Sequence, residues 1–166
     1  MKHTSKNYTT TILVDKDISS AFGAIQNLRA WWSEEIAGMT DKVEEIFFYH
    51  YKDVHLCRIQ LIEKDIDRKL VYLVIDNTFN FTEDKTEWIN TKLIFDLSTE
   101  GNKTKIVFTH LGLVPEYECY AICNDAWTSY IQGSLKAYIE TGTGKPNGKE
   151  GGLNAELMEK WGLPNK

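Results

Sequence analysis

The sequence has little of what marks secreted, membrane-spanning or nucleic-acid-binding proteins. It contains three cysteines and three prolines in 166 residues. Such an odd, low cysteine count argues against a disulfide-stapled scaffold, so the thiols are expected to be reduced. No apolar run approaches the ~20 residues that span a bilayer, and the N-terminal segment lacks an apolar stretch followed by a small-residue cleavage site. These absences predict a cytoplasmic protein without membrane insertion.

Basic residues are outnumbered and scattered. Lysine and arginine total 19 against 24 aspartate and glutamate residues, a net charge of −5, and they stand singly rather than in a run. Nucleic acid and anionic membranes are therefore not expected as partners. The length suits one domain with a single core, and 42% apolar with 26% charged residues is typical of a soluble globular chain. The composition alone does not indicate a reaction or a ligand.

The first third of the chain predicts one strand and two short helices. Tyr8–Val14 is a β-branched run typical of a strand. The segment that follows has an acidic N-cap and apolar residues spaced three and four apart, which indicates an amphipathic helix. A second helix over Leu28–Glu35 carries Trp31 and Trp32. Because neighbours on a helix point about 100° apart, we expect only one of these tryptophans to be fully buried, with the other at a cavity mouth or on the surface.

Apolar and polar residues alternate with a period of two in residues 43–113, which predicts strands that form an antiparallel meander. Polar breaks short enough for hairpins separate five runs. Thr104, Ile106, Phe108 and His110 form the expected inward row of the last strand. The predicted strands are Val43–Tyr51, Val54–Ile62, Lys69–Ile75, Glu87–Leu97 and Thr104–Leu111.

After Pro115 the helix period returns and lasts to Thr141, with Gly142 placed to end the helix. One broad face of this long helix is apolar and is expected to be buried. Residues 1–142 are predicted to form the domain and 143–166 a tail. In the tail, Leu153, Leu157 and Trp161 suit a short helix whose apolar stripe should dock on the domain or on a second copy, which makes a homodimer possible.

This order of elements predicts an α+β helix-grip fold: a bent six-stranded antiparallel sheet wraps a long C-terminal helix, with two short helices after the first strand. The segments Ala30–Trp32, Thr109–Glu116 and Trp127–Gly142 resemble the START-like (SRPBCC) superfamily, and within it the group named after the activator of the heat-shock chaperone ATPase. The resemblance implies an elongated cavity between helix and sheet that commonly binds apolar or aromatic small molecules. It also implies that some members are cyclases or hydrolases.

Aromatic side chains fall on faces that should point at one another, which fits either ordinary core packing or the wall of a cavity. Polar tips on several of them favour a cavity, since a ligand or water could supply their hydrogen-bond partners. The candidate ligand-binding residues are Trp31, Phe47, Tyr49, Tyr72, Phe95, Phe108, His110, Cys123, Trp127, Tyr130 and Ile131.

His110 could orient a ligand or act as a general base, although a hydrogen-bonded core histidine is the commoner case. No nucleophile motif, paired carboxylates or phosphate loop accompanies it, so no catalytic residue is assigned. Cys119 and Cys123 lie four apart and could approach His110, but a closed zinc site needs four ligands, and His55 and Cys57 are expected on a distant strand. We therefore expect neither a metal nor another cofactor.

Three functions remain open at this point. The first is binding of a small apolar or aromatic, lipid-like molecule in the cavity. The second is a chaperone-associated interaction module with a filled interior, which follows only from the family resemblance. The third is a cyclase- or hydrolase-like enzyme that uses His110.

Overall fold

The computed structural model describes residues 7–34, 36–51, 55–79, 83, 88–115 and 120–146. The tail stripe and Cys119 lie outside these described residues. The elements in chain order are β1 (Tyr8–Val14), α1 (Ile18–Gln26), α2 (Leu28–Trp31), β2 (Ile46–Tyr51), β3 (His55–Asp65), β4 (Lys69–Phe79), β5 (Lys92–Glu100), β6 (Lys103–Leu111), α3 (Tyr120–Thr128), a π-helical segment (Ser129–Leu135) and α4 (Lys136–Thr141).

The six strands form one antiparallel sheet in the order β1-β6-β5-β4-β3-β2. Together with the long C-terminal helix and the two short helices after β1, this confirms the predicted helix-grip architecture. The alternation in β6 is also confirmed, because Thr104, Ile106, Phe108 and His110 are all buried. The inward faces of the strands and the inner face of the helix make one core.

Capping residues set the ends of two helices. The Asp17 carboxylate accepts a hydrogen bond from the Ser20 backbone N–H at 3.0 Å and so caps α1. Gly142 adopts φ +86° and donates its N–H to the carbonyl of Tyr138, which ends α4. Both positions agree with the sequence prediction.

Several predicted boundaries differ from the structure. β2 begins at Ile46 rather than Val43, because residues 41–44 form bends and a turn in which Glu44 has φ +79°. β4 runs to Phe79 rather than Ile75. A bulge near Ile75 leaves Ile75 and Asp76 adjacent and exposed, and this breaks the alternation that marks a strand in the sequence.

The expectation that only one of the adjacent tryptophans is buried is wrong: Trp31 is 0% and Trp32 2% exposed. The helix ends at Trp31, so Trp32 is a C-cap residue with φ −104° and ψ −65° rather than part of a continuing helix. Different neighbours cover the two rings, which lie 6.4 Å apart at 22° to each other. Trp31 faces Phe95, and Trp32 faces Tyr49.

The sequence predicted a continuous α-helix up to Thr141, but the long helix is not α-helical throughout. Its middle, Ser129–Leu135, is π-helical, with wider turns than an α-helix. The extra residue per turn shifts the buried face, so in the last turns Leu135 and Ile139 are buried while Tyr138 is only half-buried. Residues on both sides of the π segment thereby face the sheet.

Candidate functional site

The structure brings the predicted site residues together between the sheet and the long helix. All are buried: Trp31, Phe47, Tyr49, Tyr72, Phe95, Phe108, His110, Cys123, Trp127, Tyr130 and Ile131. They come from α2, four strands and the helix. The sequence could therefore identify the shared face of each element, although it could not show whether the faces enclose space.

The aromatic rings of this group are in contact with one another. Trp32 stacks on Tyr49 with ring centroids 4.5 Å apart and lies 5.1 Å from Trp127. Trp127 in turn lies 4.6 Å from Phe108, which is 4.9 Å from Phe95. These distances are those of paired aromatic rings in protein cores. Side chains therefore fill this part of the interior.

Protein atoms satisfy two of the polar side-chain groups that we assigned to a ligand or water, those of Tyr72 and Trp127. The hydroxyl of Tyr72 donates to the Thr40 carbonyl at 3.0 Å, and the indole N–H of Trp31 donates to the Ile25 carbonyl at 3.0 Å. Burial, with a smaller contribution from Asp41, raises the pKa of Tyr72. These bonds remove part of the argument for an open cavity.

His110 lies at the centre of a continuous hydrogen-bond chain that joins the helix to the sheet. The indole Nε1–H of Trp127 donates to His110 Nδ1 at 3.0 Å. Because Nδ1 accepts, the neutral ring carries its proton on Nε2, which donates to Thr91 Oγ1 at 2.8 Å. The hydroxyl of Thr91 then donates to the carbonyl of Trp88. Every donor and acceptor of the imidazole is used.

The surroundings keep His110 uncharged. It is fully buried, and desolvation, followed by repulsion from His55, lowers its pKa to about 3. A proton added to Nδ1 would also point at the N–H of Trp127. His110 is therefore poorly suited to be a general base at neutral pH, and its environment favours the interpretation as a satisfied core histidine.

A second buried histidine belongs to the same cluster. His55 Nε2 lies 2.7 Å from the side-chain oxygen of Asn77, and burial lowers its pKa to about 4. The indole of Trp88 lies edge-on between the two imidazoles, with centroids 4.7 Å from His55 and 4.6 Å from His110. His55 is on a distant strand, as expected, because β5 and β4 separate β3 from β6, but the ring of Trp88 bridges the two imidazoles.

A glycine makes room for this cluster. Gly112 has φ +104°, and a Cβ atom at this position would lie 2.7 Å from Cγ2 of Thr91. Only glycine adopts this backbone conformation without strain. The close approach lets Thr91 reach His110 from the segment just before β5. We call the group His55, Asn77, Trp88, Thr91, His110 and Trp127 the polar cluster.

The described cysteines do not form a metal site. Cys57 and Cys123 are buried free thiols, and burial raises the pKa of Cys57. Within the described ranges, no three His, Cys, Asp or Glu side chains come together in a way that could hold a metal ion. Buried thiols of this kind behave as small apolar side chains.

Two surface grooves are lined by described residues. One of about 450 Å³ lies between the end of α1 and Gly38–Asp41. The other, of about 440 Å³, lies on the outer face of β2, β3 and β4. Both open to solvent, and neither lies between the sheet and the long helix.

Sequence reasoning missed four of the six residues of the polar cluster, His55 among them, and one ring of the aromatic group. Trp32, Asn77, Trp88 and Thr91 were not among the predicted site residues. Trp88 precedes β5, and Asn77 follows the bulge in β4, so neither lies where strand alternation holds. The only sequence feature that could have indicated these residues is a polar residue within an otherwise apolar stretch, and a single sequence does not distinguish such a residue from an exposed one.

Comparison with solved structures identifies the fold. The Aha1 dimer from Colwellia psychrerythraea shares 21% identity with this chain at a TM-score of 0.67, over 84% of this chain and 99% of that one. A protein from Staphylococcus saprophyticus shares 12% identity at a TM-score of 0.62, over 84% and 95% of the two chains. This chain has the helix-grip fold of these structures.

The same fold recurs in DynU16, a protein of the dynemicin biosynthetic locus, with 12% identity, a TM-score of 0.61 and coverage of 82% of this chain and 48% of that one. No family model and no curated protein matches the chain. At these identities the likeness concerns the fold. In the described part of the chain, no helix is both long and apolar enough to cross a membrane.

Proposed function

We propose that this START-like domain binds a small, uncharged apolar or aromatic molecule between the long helix and the sheet. The observation that supports this most is the polar cluster beside the aromatic rings. Small-molecule sites have mostly apolar walls with a few well-placed polar groups, and Trp127 belongs to both groups here. Burying this many polar side chains in a core is costly unless they are all satisfied.

The interior favours a neutral ligand. The buried polar side chains among the described residues are amides, hydroxyls and imidazoles, and no acidic, lysine or arginine side chain is among them. Both imidazoles are held neutral by burial, since their pKa values are lowered to about 3 and about 4. A charged ligand would therefore lose its hydration without gaining a charged partner.

The experiment is a binding screen that uses tryptophan emission. A panel of neutral aromatic and apolar compounds should contain at least one that binds with micromolar affinity, around −8 kcal/mol. Trp127→Phe keeps a ring but reduces its area and removes the donor that holds His110 Nδ1, so it should weaken that binding roughly five- to tenfold, about 1 kcal/mol. Mass spectrometry of the purified protein would detect a molecule that is already bound.

Tyr138→Phe is the matched control. It also removes one hydrogen bond, from the side-chain N–H of Asn27 at 2.9 Å, but at the opposite end of the helix. Its affinity should equal that of the unmodified protein. If no compound shows saturable binding, or if Trp127→Phe and Tyr138→Phe bind alike, the proposal is wrong.

A second candidate is an interaction module, supported by the close ring packing at 4.5–5.1 Å around Trp32 and Trp127. If side chains fill the interior, the functional contacts must be made by residues on the surface. The resemblance to the activator group makes a heat-shock chaperone the partner to test. A saturable rise in the steady-state ATPase rate of a purified chaperone would support this candidate, and an unchanged rate would exclude it.

A further inference from the structure

The outer face of β2, β3 and β4 exposes apolar side chains that the core does not use. Phe48 is 39% exposed and Ile46 47% exposed on β2. Phe48 lies directly opposite Arg58 of β3, and Arg58 lies opposite Asp76 of β4, so these side chains share one face. Together with Leu56 they form what we call the outer patch. Clustered exposed apolar side chains of this kind mark interaction surfaces.

The outer patch carries one charge of each sign. An Arg58 guanidinium nitrogen lies 3.6 Å from an Asp76 carboxylate oxygen, and the two side chains are 59% and 53% exposed. Such an exposed pair adds little to the stability of the monomer. The patch is therefore electrically neutral on a chain whose net charge is −5.

A neutral patch with paired opposite charges is what a two-fold contact between identical chains requires. In such a contact each copy presents the same surface, so every group must be complementary to a group on that surface. When two outer patches face each other across an axis that passes between β3 and β4, Arg58 of each copy can meet Asp76 of the other, and the Phe48 ring of each copy packs beside these pairs. A strongly acidic or basic partner would find no matching excess of charge here.

The sheet edge beside the patch is already occupied, so the contact uses side chains rather than an extended sheet. The N–H and C=O of Phe48 form hydrogen bonds of 2.8 Å and 2.9 Å with the backbone of Ala37. Strand addition at this point is blocked. The groove of about 440 Å³ between Phe48, Leu56, Arg58, Asp76 and Thr78 leaves room for a side chain from outside.

We propose that the outer patch is a homodimer interface in which two copies of this chain meet about a two-fold axis, with Arg58–Asp76 pairs across the axis and one Phe48 ring on either side of it. This interface is independent of the proposed ligand site, which lies on the other face of the sheet. The small apolar area predicts a dimer that forms and dissociates with concentration.

Sedimentation velocity on the full chain tests the dimer. The mass should rise from 19.1 kDa towards twice that value between about 1 and several hundred µM, the range of a weak interface. Phe48→Asp should raise the dissociation constant at least ~10-fold. Leu13→Asp is the matched control, since Leu13 is also 39% exposed but lies on β1 at the far edge, and its effect should stay within about twofold.

Charge reversal tests the pairing across the axis. Arg58→Asp and Asp76→Arg should each be monomeric, because each places like charges opposite one another in a homodimer. An equimolar mixture of the two variants should form a heterodimer, since every cross-pair is then opposite in charge. A monomeric unmodified protein, equal effects of Phe48→Asp and Leu13→Asp, or a mixture that does not associate would each overturn the proposal, even if the patch bound another protein.

Discussion

The two buried histidines should make the domain unusually sensitive to mild acid. In the folded state burial lowers the pKa of His110 to about 3 and that of His55 to about 4, whereas an exposed histidine in the unfolded chain titrates near 6.5. Between these values the unfolded chain binds protons that the folded chain does not. The stability is therefore fully present above about pH 6.5 and is lost as the pH falls towards the folded-state values.

The size of the effect follows from proton linkage. Each histidine lowers the free energy of unfolding by about 1.4 kcal/mol per pH unit once the pH is well below 6.5. Integrated from pH 7 to pH 5, the two together lower it by about 4 kcal/mol. Since a domain of this kind has about 5–15 kcal/mol in total, the loss is a large fraction of its stability.

Urea unfolding at 25 °C measures this loss. The midpoint should fall steeply from pH 7 to pH 5, a range chosen because most carboxylates titrate below it. His110→Gln and His55→Gln should each lower the stability at pH 7 but remove about half of the pH dependence. In the unmodified protein, NMR signals of both imidazoles should stay in the neutral form throughout. Equal midpoints at the two pH values, or a His110→Gln variant with unchanged pH dependence, would refute the reasoning.

Two substitutions test the packing around the polar cluster. Gly112→Ala should lower the free energy of unfolding by about 1–3 kcal/mol, because φ is +104° and the new Cβ would meet Thr91 at 2.7 Å; Gly133→Ala, with open space at its Cβ, should be neutral or slightly stabilising in the same urea measurement. Thr91→Val should cost about 1–3 kcal/mol, because it leaves the Nε2–H of His110 without an acceptor. Thr91→Ser keeps the hydroxyl and should cost less; equal losses would argue against the hydrogen-bond chain.

The sequence predicted the fold well because the fold depends on local patterns. Alternation placed the buried row of β6, from Thr104 to His110, on the correct face. The cap at Asp17 and the stop at Gly142 depend on a residue's own backbone and its near neighbours. Hairpin connections then pair the consecutive strands from β2 to β6, whereas the pairing of β1 with β6 is a long-range contact.

The polar cluster could not be predicted in the same way, because long-range contacts create it. Trp88 precedes β5, yet its position is defined by His55 and His110 on two other strands. The π-helical segment has no signature in a single sequence, and it shifts the buried face of the last turns from Tyr138 to Ile139. A strict helical period therefore gives the wrong face beyond Leu135.

Hydrogen bonds along the long helix indicate which part of the interior a ligand could occupy at least cost. Thr128 is joined to the Tyr8 hydroxyl at 2.8 Å, Ser134 donates to the Trp31 carbonyl at 2.7 Å, and Lys136 donates to the Leu13 carbonyl at 2.6 Å. A ligand inserted along this length would separate such pairs, at about 1–3 kcal/mol for each buried group left unsatisfied. The proposed ligand is therefore best accommodated before Trp127, where α3 faces the polar cluster. There the ligand would contact the ring of Trp127 while the bond from its indole N–H to His110, which joins the helix to the sheet, stays intact.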